Sequence, residues 1–271
     1  MTTPTASAKG RFARITSGAD AIEIKATIPQ RQIAGALKRY KLTPRNDNER
    51  LVYFFDTPDL RLLKAGIIVR ARRVIGGVHN STIKFRPVEA EKVGRGWHKY
   101  PDFKIEVDAS EKGFVKSASF SMPVQKGLIK RVVGREEHAA TLFTKAQEKF
   151  LREMRGPRID FAKLKVMGPL KAQRWDFEDP ACPWPITAEL WWREDGERLM
   201  EMSVKAKAVQ AAAVMAGFMA FLIEVGAERD AGQLAKTRWA LDYYAAKYRK
   251  QPAERTGSKS PAPARTRRRS R

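Results

Sequence analysis

Tyr53-Phe-Phe-Asp56-Thr-Pro-Asp59-Leu-Arg-Leu-Leu-Lys-Ala-Gly66-Ile-Ile-Val-Arg70-Ala-Arg72 reads as a strand, a tight turn, a short helix and a second strand. Residues 51–55 form an unbroken apolar run, closed by the turn signal Asp56-Thr57-Pro58. Segment 57–63 has Pro near its start and ends before Gly66, the punctuation of a short capped helix. Beyond it, Ile67, Val69 and Ala71 alternate with Ile68, Arg70 and Arg72. Both arginines therefore leave the strand from one face.

The same two-residue period recurs on either side. Ile22, Ile24, Ala26 and Ile28 interleave with Glu23, Lys25 and Thr27. Segment 81–86 offers Thr82, Lys84 and Arg86 on one face, and 103–108 offers Lys104, Glu106 and Asp108. Segments 170–177, 186–193 and 199–205 follow, the second carrying Glu189 and the third Glu201, Ser203 and Lys205. That makes eight predicted strands. Helical spacing marks 29–40, 136–154, 206–225 and 229–247, and no internal repeat stands out.

Composition bounds the function classes. With 271 residues, 43% apolar and 31% charged, the chain is globular, and roughly 100–200 residues per domain predicts one large domain or two small ones. Cys182 is the lone cysteine, so no intrachain disulfide forms. One cysteine and three histidines (79, 98 and 138) exclude a Cys/His zinc site of the usual spacing. The glycine patterns of Rossmann and Walker nucleotide folds are absent. The apolar run 211–223 falls short of a membrane span of roughly 18 residues and reads as a helix buried against protein. The chain is expected to be soluble and cytoplasmic, with no membrane partner.

Charge points to the ligand class. The net charge is +23, of which +6 lies in residues 251–271 and +3 in residues 1–19. A folded body that remains this basic attracts polyanions. The two ends read as disordered segments; the Arg-rich tail reads as a solvated end, with non-specific contact to nucleic acid or polyphosphate as the alternative. The predicted domain is 20–250.

An open antiparallel sheet with one wet face would account for any single strand. It accounts poorly for the whole set, whose apolar faces need covering while the other faces carry Arg, Lys and carboxylates. A closed barrel with a polar lumen and helices outside meets both demands. Charges of both signs can be kept inside if they compensate one another and a bound ionic ligand. Arg and Lys suit phosphate oxygens, and carboxylates suit a hard divalent cation.

On these residues the chain resembles the CYTH superfamily, the triphosphate tunnel metalloenzymes, which include class IV adenylate cyclases, thiamine triphosphatases and inorganic triphosphatases. The opening segment carries the resemblance. Thr82-Ile-Lys84-Phe-Arg86 is similar to the family's T-x-K-x-R strand, and Glu201-Met-Ser-Val-Lys205 to its last strand. Lys236 sits where a C-terminal helix often carries a lysine. The resemblance spans about residues 20–248. It implies an α+β fold built on an eight-stranded antiparallel β-barrel.

The resemblance also implies a site. Lys25, Arg70, Arg72, Lys84 and Arg86 would bind a triphosphate, with Lys25 and Lys84 as catalytic cations. Lys171 and Arg174 are further candidates, although a regular strand cannot turn both inward. Glu23, Glu106, Asp108, Glu189 and Glu201 would hold Mg²⁺ or Mn²⁺. Two family carboxylates are missing: the opening E-x-E-x-K falls on Ala21, Glu23 and Lys25, and the closing E-x-E on Glu201 and Ser203. The expected activity is hydrolysis of an inorganic or organic triphosphate. The alternatives are an adenylate cyclase and a weakened binder of polyphosphate or nucleotide.

Overall fold

The computed structural model describes residues 15–45, 49–89, 91, 93–110, 113–154, 158–227 and 235–250. The basic tail and residues 1–14 lie outside them. Among the described residues there are nine strands: β1 (Ala21–Ile28), β2 (Arg50–Asp56), β3 (Ile67–Val74), β4 (Asn80–Phe85), β5 (Phe103–Ser110), β6 (Gly113–Pro123), β7 (Lys165–Asp179), β8 (Cys182–Trp192) and β9 (Arg198–Ala206). They close into a barrel in the order β1-β5-β6-β4-β3-β2-β7-β8-β9.

The expectation of eight antiparallel strands is corrected on two counts. The ninth strand is β6, whose Ser117, Ser119 and Ser121 alternate with Ala118, Phe120 and Met122 and so lack the charged face that marked its neighbours. Its addition forces the second correction. A closed ring with an odd number of strands cannot alternate in direction all the way round, and the mismatch falls where β1 pairs with β5 in parallel. The other eight pairings are antiparallel.

Among the described residues, six α-helices with both ends given accompany the strands: α1 (Ile33–Arg39), α2 (Arg61–Lys64), α3 (Leu128–Val133), α4 (Lys145–Glu153), α5 (Ala211–Glu224) and α6 (Lys236–Lys250). Helix α3 was not expected from the sequence. Among the described residues, no helix is long and apolar enough to cross a membrane.

Alternation along the strands sorts side chains between the outside of the barrel and the lumen. On one outer wall, Ile22, Ile24, Ile186 and Val204 pack under Phe218, Phe221 and Leu222 of α5. On another, Ile67, Ile83, Ile105 and Phe120 pack under Phe150 and Leu151 of α4, and Ile129 and Val132 of α3. Each large side chain buried there contributes about 1.5–3 kcal/mol. Helix α4 starts at a capping box between Thr144 and Gln147. The fully buried Gln147 amide also donates to the carbonyls of Ser81 and Phe120, tying α4 to β4 and β6.

One helix does not lie outside. Trp239, Leu241 and Tyr244 of α6 cluster with Val52, Phe54, Leu170, Trp191 and Leu199. The strand residues of this group share a face with lumenal charges, because Val52 lies opposite Arg72 and Phe54 opposite Arg70. Helix α6 thus lays an apolar plug against this part of the lumenal face. Its tyrosines fix it to β7: the Tyr244 hydroxyl donates to the Pro169 carbonyl and that of Tyr248 to the Val166 carbonyl.

The turn from β2 into α2 is held by Asp56. Its buried carboxylate accepts from the backbone N–H groups of Thr57, Leu62 and Leu63 at 2.7–2.9 Å, satisfying donors that α2 leaves open. Gly66 then turns the chain with φ +73°, and a Cβ there would meet the Arg86 carbonyl at 2.8 Å. Asp56→Ala should lower stability by about 2–4 kcal/mol, since it leaves several buried donors unmet. The shift of the urea midpoint measures this, and a variant within experimental error of wild type would remove Asp56 from its capping role.

Candidate functional site

The lumen encloses a cavity of about 730 Å³ whose lining includes nine Lys or Arg side chains and six Asp or Glu side chains. Alternation on β1 aims Glu23, Lys25 and Thr27 inward; β3 adds Arg70 and Arg72, and β4 adds Thr82 and Lys84, with Arg86 just beyond. Glu106 and Asp108 come from β5, Arg174 from β7, Glu189 from β8 and Glu201 from β9. The cavity therefore gathers all the sequence-predicted site residues except Lys171. That residue is corrected: its side chain is 62% exposed and pairs with Glu49 at 3.5 Å. Lys171 and Arg174 are three apart on a strand, so only one can face the lumen.

Two lysines organise the acidic side of the cavity. The Lys25 ammonium lies 2.9 Å from Glu23, 2.9 Å from Asp108 and 3.7 Å from Glu201. Burial works against its charge, but the three carboxylates outweigh burial and hold its pKa well above the ordinary value. The Lys236 ammonium, from the first residue of α6, binds Glu189 and also Glu201, the latter at 2.9 Å. Here too burial is outweighed by the two carboxylates, and the pKa is raised. Glu23 and Glu189 are pushed up by burial, yet their lysine partners bring both below the ordinary carboxylate range. Asp108 lies 2.8 Å from Arg86 and 3.9 Å from Lys84 besides Lys25.

The basic side is less satisfied. Arg70 and Arg72 sit side by side with Arg50 nearby, and the Nε–H groups of Arg70 and Arg72 are buried with no protein acceptor. Burial, then repulsion from Arg70 and Arg50, lowers the Arg72 pKa to about 10. Burial likewise lowers the Lys84 pKa, which Asp108 only partly restores. Such groups call for an anion.

A divalent cation is what the resemblance implies, and the residues can be tested for it. Among the described residues no three acidic, histidine or cysteine side chains are grouped to hold a metal ion. The missing carboxylates explain this. Ala21 contributes no ligand, and the Ser203 hydroxyl donates to Glu23 at 3.1 Å instead of adding a charge. The remaining donors do not fit a protein-held metal, because ammonium groups already bridge Glu23 with Asp108 and Glu189 with Glu201.

Arg50, 3.8 Å from Glu189, escaped the sequence reading because its strand neighbours on that face, Val52 and Phe54, are apolar. Lys104 and Lys205 also line the cavity, and the alternation of their strands marks both. Trp191 faces the lumen, with the Lys236 ammonium 5.2 Å from its ring, while Trp192 packs against the outer wall.

No protein-family model matches the chain, and no curated protein matches it. Solved structures do share its fold. A "putative adenylate cyclase" from Bacillus halodurans aligns with a TM-score of 0.55 at 14% identity, over 81% of this chain and 96% of its own. A "putative adenylyl cyclase" from Hippeastrum, described as having a dominant triphosphatase activity, aligns at 0.57 and 12%, over 82% and 95%. The chain therefore shares the fold of these two proteins over about four fifths of its length.

Asp108 gives the site a pH signature. Its folded pKa lies far below the ordinary 3.8: burial opposes this, and Lys25, Lys84 and Arg86 overcome it. A depressed carboxylate stabilises the fold fully above its unfolded pKa and loses that contribution as pH falls towards the folded value. Asp108→Asn should therefore cost about 3 kcal/mol at neutral pH. The gap to wild type should narrow below about pH 4, as read from urea midpoints across pH. A pH-independent gap would show that Asp108 is not held ionised by these cations.

Proposed function

We propose that the lumen binds a linear triphosphate, inorganic or organic, and that the protein is a triphosphatase-type phosphohydrolase. One observation carries the binding reading: the guanidinium groups of Arg70 and Arg72 have buried Nε–H donors without acceptors inside a net-positive cavity. Leaving buried charged donors unmet is costly, and phosphate oxygens supply the acceptors in the planar geometry guanidinium prefers. Lys84 and Arg86 extend the cationic surface from β4 towards Asp108.

Hydrolysis of the terminal phosphoryl group needs positioning and preset positive charge more than covalent chemistry. Lys25, Lys84, Arg70 and Arg72 provide fixed charge around the phosphoryl oxygens in a site largely withdrawn from water. Glu106, like Asp102, lines the cavity and forms no ion pair among the described residues; it is the one whose charge acts on both Arg70 and Lys84, which suits it to accept a hydrogen bond from an attacking water. The triphosphatase activity ascribed to the structural neighbour from Hippeastrum supports the same reading.

A second reading has its own observation. The family carboxylates absent at Ala21 and Ser203 leave the acidic side tied up by lysines, which favours a protein that binds polyphosphate without turning it over.

Arg70→Ala and Arg72→Ala should each weaken binding of inorganic triphosphate by about 10- to 100-fold, the worth of one charge-assisted contact. Calorimetry reads this directly, and unchanged affinity in both variants would remove the triphosphate from the lumen. Phosphate release from inorganic triphosphate, ATP and thiamine triphosphate then separates the readings. Turnover of about 1 per second or faster establishes the hydrolase. Tight binding without release establishes the binder, and cyclic AMP from ATP would establish a cyclase instead.

A further inference from the structure

Glu189 and Glu201 lie directly opposite each other on neighbouring strands. Two carboxylates so placed cannot both stay ionised without a cation between them. A divalent metal is one solution, because hard cations take carboxylate oxygens. This chain supplies another: the Lys236 ammonium reaches both carboxylates, and Lys25 reaches Glu201 from the other side at 3.7 Å.

The placement of Lys236 is itself informative. It occupies the first turn of α6, where the helix dipole disfavours positive charge. The two carboxylates outweigh that cost, and the Trp191 ring face adds to them. The apolar plug that α6 forms with Trp191 and Leu199 then holds the ammonium in place. A metal entering here would have to displace a cation that is covalently attached and already seated.

We propose that Lys236, helped by Lys25, stands in for a divalent cation at Glu189 and Glu201, so that the lumen holds no metal of its own and takes up triphosphate without one. This builds on the triphosphate-binding reading and adds to it a built-in, metal-free counterion. The charge balance agrees. With nine cationic and six acidic side chains lining the cavity, the lumen is already positive enough to receive a polyanion.

Two measurements test it, and only the second involves the phosphate ligand. In the first, Mn²⁺ is titrated into the full-length protein without phosphate and followed by its paramagnetic resonance signal. Wild type should leave the signal of free Mn²⁺ unchanged. Lys236→Met keeps the bulk of the side chain but frees both carboxylates, so its Mn²⁺ affinity should rise by about tenfold or more. Stoichiometric Mn²⁺ uptake by wild type would overturn the proposal, and so would a folded Lys236→Met variant that gains no affinity.

In the second, calorimetry of wild type with inorganic triphosphate compares EDTA with excess Mg²⁺. Affinity in EDTA at least equal to that in Mg²⁺ is expected. Binding that disappears in EDTA overturns the proposal. Absence of binding in both conditions sinks the triphosphate reading instead, and the Mn²⁺ titration then decides the counterion assignment alone.

Discussion

The structure depends on keeping charges of both signs inside a closed barrel. A carboxylate or ammonium withdrawn from water is tolerated only with a partner of opposite sign and good geometry. The Lys25 ammonium meets that condition for three strands at once, since Glu23, Asp108 and Glu201 come from β1, β5 and β9. These are the strands that close the ring, because β1 joins β5 on one side and β9 on the other. The parallel seam that an odd number of strands requires is therefore also where the charge network is densest. Removing one member would expose the others to an uncompensated interior, so the fold and the site share the same ion pairs.

Much of this was legible in the sequence because alternation is a strong signal when one face is charged. Glu23 with Lys25, Arg70 with Arg72, and Lys84 with Arg86 each announced both a strand and its inward face, and all six line the cavity. Strand β6 escaped because serine is as much at home in a loop as on a lumenal face. The parallel pairing was hidden for the same reason, since it follows from the strand count and not from any local pattern. Arg50 sits on a face that is otherwise apolar, so no alternation of charge singled it out. Lys171 erred the other way: one of two basic residues three apart had to point outward, and residue type alone could not say which.

The acidic residues show a further limit of sequence reading. Glu23, Asp108, Glu189 and Glu201 reach the expected lumen, yet their electrostatic role depends on which cation they meet there. A lysine thirty-five residues beyond Glu201, on the far side of an intervening helix, fills that place. Spacing along a strand can place a carboxylate, but it cannot reveal a partner delivered by a distant element. The alanine at position 21 and the serine at 203 were the visible traces of this arrangement.

Helix α6 packs its apolar residues onto β2, β7, β8 and β9 and carries Lys236 as its first residue. Any motion that lifts this helix off the barrel would therefore also withdraw the ammonium from between Glu189 and Glu201, so the seating of one helix and the charge state of the lumen are a single equilibrium.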